Sequence, residues 1–280
     1  MGDLGFVGGG TGRWPVRKGS IVTQRGDFEE YVTRRNPFER LDLVDPGDLT
    51  DDERRSLPPA WLAIAELDGT RAVERALKMW ADALPGRFPG TVANLRDRGL
   101  DVFLARVLPY QDDPTCVVLV YAIHRNASPL LFDACFGYLP AGTSQFPEFW
   151  PRLSEDFRRF HTQVHDGFRA KFGGILLSDR LRAISADFVS PEVPEFDYVD
   201  EHLQTLPEDR RPSLDNLVVV VREGSRGVAV DVSTPDLTAW ETSELIEPCR
   251  LGPWSAMDAY VMSAMSSDVE YYERLGYRET

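Results

Sequence analysis

Lysine is scarce in this sequence. Lys18, Lys78 and Lys171 are the only three among 31 basic residues, and the rest are arginine. An arginine-rich codon bias accounts for that skew, although arginine also suits two-pronged contacts with carboxylates. Cysteine is scarce too. Cys116, Cys135 and Cys249 are odd in number and far apart, which excludes a disulfide framework or a zinc knuckle. Cys116 and Cys135 sit in apolar runs and read as small core residues of a protein from a reducing compartment. No apolar run approaches the length of a membrane span, and Met1–Arg13 has no signal-peptide core. A cytoplasmic protein is the expectation, with no membrane partner.

Catalytic signatures are missing as well. Gly8, Gly9, Gly10 and Gly12 follow no strand-like run and precede no Gly-Lys-Ser/Thr, so they form no phosphate loop. No Gly-x-Ser-x-Gly elbow occurs, and Ser144 and Ser225 lack its frame.

Negative charge is abundant. Forty-five acidic residues against 31 basic ones leave a formal charge of −14 at pH 7. Such a chain repels phosphate backbones, which argues against nucleic acid as a partner. The same field favours a basic partner surface, although acidity alone also keeps a protein in solution. The 42% hydrophobic share is enough for a real core in a chain of 280 residues.

Four stretches follow from the order of elements. Residues 1–57 read as a flexible glycine-rich arm, to about residue 25, and then a charged, partly ordered extension that wraps the first unit. Residues 58–145 read as an N-terminal α+β unit. Val73, Leu77, Trp80 and Leu84 recur at helical spacing, with Ala72, Ala76 and Ala81 beside them, and Pro85-Gly86 ends that helix. Three strand-like runs follow at Val102–Leu108, Cys116–His124 and Leu130–Phe136. Residues 146–270 read as a second α+β unit, and 271–280 as a tail. Leu153, Phe157, Phe160, Val164 and Phe168 form one helical stripe, with Gly173-Gly174 as its stop. Ile175–Leu177 reads as a strand, Arg180–Ile184 as a helical turn and Tyr198–Leu206 as a helix. Leu217–Val221 and Gly227–Val232 form a hairpin in which Val228, Val230 and Val232 bury one face. A last helix is expected near Ser255, with Ser255 and Asp258 spaced as a capping box.

The second unit resembles the SMI1/KNR4 superfamily, also called SUKH. The likeness rests on feature order over about Phe146–Ser267. An aromatic opening helix, Phe149-Trp150-Pro151-Arg152-Leu153 through Phe160, ends in His165-Asp166-Gly167-Phe168. The short apolar strand Gly174-Ile175-Leu176-Leu177-Ser178 follows. A hairpin then closes on Asp231, Trp240 follows it, and a helix ends the unit. The resemblance implies an α+β sandwich used as a protein-binding platform, with toxin neutralisation as the leading instance. The first unit departs from that pattern.

Several constellations are weighed against plain structure. His161 and His165 share one helix side and could hold a metal, yet Thr162 stands where a metalloprotease needs glutamate. A metal-assisted hydrolase using these two histidines is the alternative function, and a scaffold subunit is another. Trp150, Trp240 and Trp254 could line a pocket or serve as core. Glu192, Glu195, Phe196, Asp197, Tyr198, Asp200 and Glu201 form an acidic strip with interleaved aromatics, a composition suited to a basic toxin domain. These seven are the candidate partner-binding residues. No catalytic, cofactor or metal residues are assigned, and no cofactor is expected.

Overall fold

The computed structural model describes residues 39–109, 116–125, 128–142, 146–170, 173–187, 203–223, 226–243 and 246–265. The fold is α+β. Among the described residues an open antiparallel sheet of 11 strands carries seven α-helices. The N-terminal strands are β1 (Glu39–Leu43), β2 (Gly99–Pro109), β3 (Cys116–Arg125) and β4 (Ser128–Tyr138). Then come β5 (Phe168–Ala170), β6 (Gly173–Ile175) and β7 (Arg182–Ala183). β8 (Leu217–Glu223), β9 (Arg226–Asp231), β10 (Ala239–Thr242) and β11 (Ile246–Pro248) complete the sheet. Neighbours follow chain order, except that β6 and β7 both pair with β8. Strand β4 pairs with β5, so the two units expected on either side of residue 146 share one sheet.

The helices are α1 (Asp51–Ser56), α2 (Pro59–Ala65), α3 (Gly69–Ala83), α4 (Pro89–Arg98), α5 (Glu155–Arg159), α6 (Ile184–Asp187) and α7 (Pro253–Met265). Among the described residues no helix is long and apolar enough to cross a membrane. Side chains alternate along the strands, so each face has its own cluster. One face carries Val102, Leu104, Leu119, Tyr121, Val218 and Val230 under α2, α3, α4, α5 and α7, in a single core that runs through both halves. The opposite face is split in two. Leu41, Phe103, Val118 and Phe136 form one cluster, and Ile184, Leu203, Val219 and Trp240 the other. Strand β9 is therefore buried on both faces, since Ala229 and Asp231 are covered as well as the valines.

Helix starts show how distant parts are tied together. Helix α1 has a full capping box of Thr50 and Glu53. Helices α3 and α4 have no cap from their own N-cap side chains. Asp101 of β2 accepts from Gly69 N at 2.9 Å. Asp258 of α7 accepts from Gly90 N at 2.7 Å and Thr91 N at 2.8 Å, satisfying donors that a helix start otherwise leaves open.

Four sequence expectations need correction here, the first being the span Arg180–Ile184, which is no helical turn because Arg182–Ala183 forms β7. Helix α7 begins at Pro253, so Asp258 is no N3 residue of its own helix and serves α4 instead. The stripe from Leu153 to Phe168 is not one helix. Helix α5 passes into a π-turn over Phe160–Val164, and Phe168 lies in β5. Gly173 and Gly174 lie in β6 and do not stop a helix. The π-turn closes with His165 N on Phe160 O at 2.9 Å. It rotates the helix end so that His161 and His165 both turn into the core.

Candidate functional site

The π-turn and the chain just after it place a cluster of buried polar side chains in the interior. His161 and His165 are both fully buried. They face different partners. His161 Nδ1 lies 2.9 Å from Asp166 Oδ1. The carboxylate can only accept, so this nitrogen carries the ring proton. Asp166 also accepts from Ser178 N at 2.7 Å and Ser178 Oγ at 3.1 Å. The π-turn, the strand entry at Gly167 and the turn after β6 are thus pinned by one carboxylate. Gly167 has a φ of +91°, and a Cβ there would sit 3.0 Å from Leu177 N. Glycine is required because two backbones meet at that point.

His165 belongs to a second chain of bonds. Trp80 Nε1 donates to Tyr121 Oη at 2.9 Å, and Tyr121 Oη lies 2.7 Å from His165 Nε2. The phenol has one proton, and its oxygen already accepts from Trp80. Tyr121 therefore donates to Nε2, and the His165 proton sits on Nδ1. Nδ1 meets no partner in good hydrogen-bonding geometry. Trp61, Trp80 and Phe168 surround the ring at centroid distances of 5.2–5.7 Å from one another or from it. Burial drives the His165 pKa down to about 3, against a weaker opposing pull from the Tyr138 backbone. Burial likewise lowers the pKa of His161, with Asp166 opposing it. Burial raises the Tyr121 pKa, so the phenol stays protonated. Cys135 is fully buried and its thiol is pushed up by the same cause, while Cys116 and Cys249 are half-buried.

The chemical capacity of this region is limited by those directions. A shared metal would need a free ring lone pair from each imidazole at one point, and His165 Nε2 is taken by Tyr121 while its Nδ1 carries the proton. Among the described residues no group of three or more His, Cys, Asp or Glu side chains converges on a metal position. A nucleophile system would need a hydroxyl or thiol at the free nitrogen of the His161–Asp166 pair. The His161 ring packs among Trp150, Phe157 and Phe160, and among the described residues its Nε2 has no hydrogen-bond partner.

The seven residues of the acidic strip, Glu192 to Glu201, lie outside the described residues. Most of the expected helix Tyr198–Leu206 does too. Trp150 and Trp240 are buried core, and Trp254 is half-buried against Phe88, with the Arg87 guanidinium 5.1 Å from its ring centre. Sequence reasoning missed Tyr121, Trp80 and Ser178 as partners of the histidines. The only local signal was Asp166 next to His165. Asp231, the residue on which the hairpin closes, shapes the following turn by accepting from Ser233 N at 2.8 Å and Ser233 Oγ at 2.6 Å. No family model matches the chain, and no curated protein or solved structure matches it.

Proposed function

We propose that this chain is a cytoplasmic protein-binding module of SUKH type, acting as an immunity protein that covers a basic toxin domain. The observation that supports this reading is the inward commitment of its versatile side chains. His161, His165, Asp166, Tyr121 and Asp258 are spent on bonds that join elements of the fold. Asp166, Gly167 and Asp231, which carry the family likeness, serve turns and strand entries. Recognition then falls to surface charge, and the formal charge of −14 attracts a basic partner. The strip Glu192, Glu195, Phe196, Asp197, Tyr198, Asp200 and Glu201 supplies the contact in this reading, with the carboxylates steering and the two aromatics anchoring.

The test is stopped-flow association with the partner recovered on the immobilised full chain. Raising salt from 50 to 500 mM, an ionic-strength range chosen from about one Debye length of 14 Å down to about 4 Å, slows association roughly tenfold or more and leaves dissociation nearly unchanged. Reversing Glu192, Glu195 and Asp197 to lysine has the same signature. An association rate indifferent to both treatments sinks the proposal.

A further inference from the structure

The outer side of α3 borders a pocket that the buried histidines do not use. Helix α2 and the π-turn at Phe160–Val164 both pack against α3. Residues from all three line a cavity of about 260 Å³. Ala60 of α2, with Met79 and Ala83 of α3, makes the apolar part of its wall. Two polar side chains reach it from different elements, Arg75 of α3 and Gln163 of the π-turn. Both residues are exposed, and among the described residues neither side chain has an ion pair or a hydrogen bond. The remaining lining pair is already neutralised, because Lys78 Nζ donates to both Asp82 oxygens at 2.8 Å. The wall therefore has one net positive charge, on Arg75, in a chain whose formal charge is −14. Arg71 and Arg87, on either side of it in sequence, are both paired, with Asp68 and Asp156. Gln163 owes its position to the π-turn. His161 and His165 turn inward on either side of it, while Gln163 stays outside. Such turns are rare and recur at functional sites.

We propose that this pocket binds a small aliphatic monocarboxylate. Arg75 and Gln163 hold the headgroup, and the hydrocarbon tail lies on Ala60, Met79 and Ala83. A guanidinium fork matches the two oxygens of a planar carboxylate, and an amide NH2 donates to the same oxygens. One net charge suits a monoanion. A dianion such as phosphate gains less, since Asp82 stands on the same wall and the whole chain is acidic. An apolar wall with a few convergent polar groups is the usual composition of a ligand pocket, and this volume suits a ligand of a few carbon atoms. Both polar residues are exposed to water, which screens the ion pair and sets the affinity at about millimolar. This inference does not rest on the proposed toxin-binding role, and the failure of either leaves the other standing.

Carbon-13 labelling of the methionine methyls in the full chain reads the pocket directly. Met79 is one of five methionines, and Met79→Leu assigns its signal. Titration with butyrate at neutral pH should shift the Met79 methyl saturably, with half-saturation at about 1–10 mM, and leave Met257, Met262 and Met265 in place. Affinity should rise roughly two- to fourfold per CH2 from acetate through propionate to butyrate. Arg75→Gln should weaken butyrate binding roughly tenfold and Gln163→Ala severalfold, while Arg71→Gln leaves it unchanged. The other methionine signals report that each variant is folded. No saturable shift of Met79 by about 100 mM butyrate overturns the proposal. So does an equal response to butyramide or butylamine, tighter binding of inorganic phosphate, or full affinity in folded Arg75→Gln. If a variant does not fold, the ligand series on the unaltered chain still decides between a carboxylate pocket and none.

Discussion

Asp258 takes both the backbone N–H of Thr91, at 2.8 Å, and its hydroxyl, at 2.6 Å, across 167 residues of sequence. The last helix of the described chain thereby caps a helix of the N-terminal half. Asp258 is only 6% exposed and Thr91 is fully buried, so water cannot replace this bond. The consequence is mutual dependence of the two halves.

Replacing Asp258 by alanine should leave the N–H groups of Gly90 and Thr91 and one hydroxyl open inside the protein. A lost cap and unpaired buried donors together cost about 3 kcal/mol. Thr91→Val removes only the hydroxyl contact and should cost about 1 kcal/mol. Urea unfolding measures both, and the whole chain should lose stability in one transition. A loss for Asp258→Ala below about 0.5 kcal/mol would show that the cap is not formed.

Acid should weaken the fold through His165. Its folded pKa is about 3, below the ordinary histidine value. The unfolded chain therefore binds a proton first as pH falls. The contribution is fully present above about pH 6.5 and is lost progressively between there and pH 3, on the order of a few kcal/mol. Burial of His161 acts in the same direction. Denaturant midpoints measured from pH 7.5 to pH 4 should fall, and less steeply in His165→Gln. A midpoint that rises towards pH 4 would contradict a neutral buried imidazole.

Tyr121→Phe keeps the ring and removes the hydroxyl that joins Trp80 to His165. Two buried groups then lack partners, at about 2–3 kcal/mol. Combined with Trp80→Phe, the losses should be less than additive, with a coupling on the order of 1 kcal/mol. Strict additivity in that cycle would mean the two side chains do not share a bond.

Gly137 of β4 lies against the His165 ring. A Cβ at this position would stand 2.2 Å from Cε1 and Nδ1. Gly137→Ala should displace the imidazole and cost about 1–3 kcal/mol. The penalty should shrink when His165→Ala clears the space, which a double-mutant cycle reads directly. An equal penalty in both backgrounds would place the strain elsewhere.

Much of the fold is legible from local pattern. Val73, Leu77 and Trp80 do line the buried side of α3, whereas Ala81 next to them is exposed. The three N-terminal strand runs and the β8–β9 hairpin stand where apolar runs and turn residues place them. These features depend on neighbours within a few residues, so periodicity reveals them. Phe168 fits the helical stripe equally well, but Gly167 at φ +91° turns the chain into β5 first. Periodicity is blind to that competition.

By itself the sequence determined most of the element types, the absence of any long apolar helix among the described residues, the acidic net charge and the scarcity of cysteine. Tertiary structure alone decided that the two halves join one sheet at β4 and β5, that His161 and His165 answer to different partners, and that Asp258 serves α4. The reason is range. Hydrophobic period and turn chemistry act over a few residues, whereas a hydrogen bond between Asp258 and Thr91, 167 positions apart, exists only once the chain between them has folded.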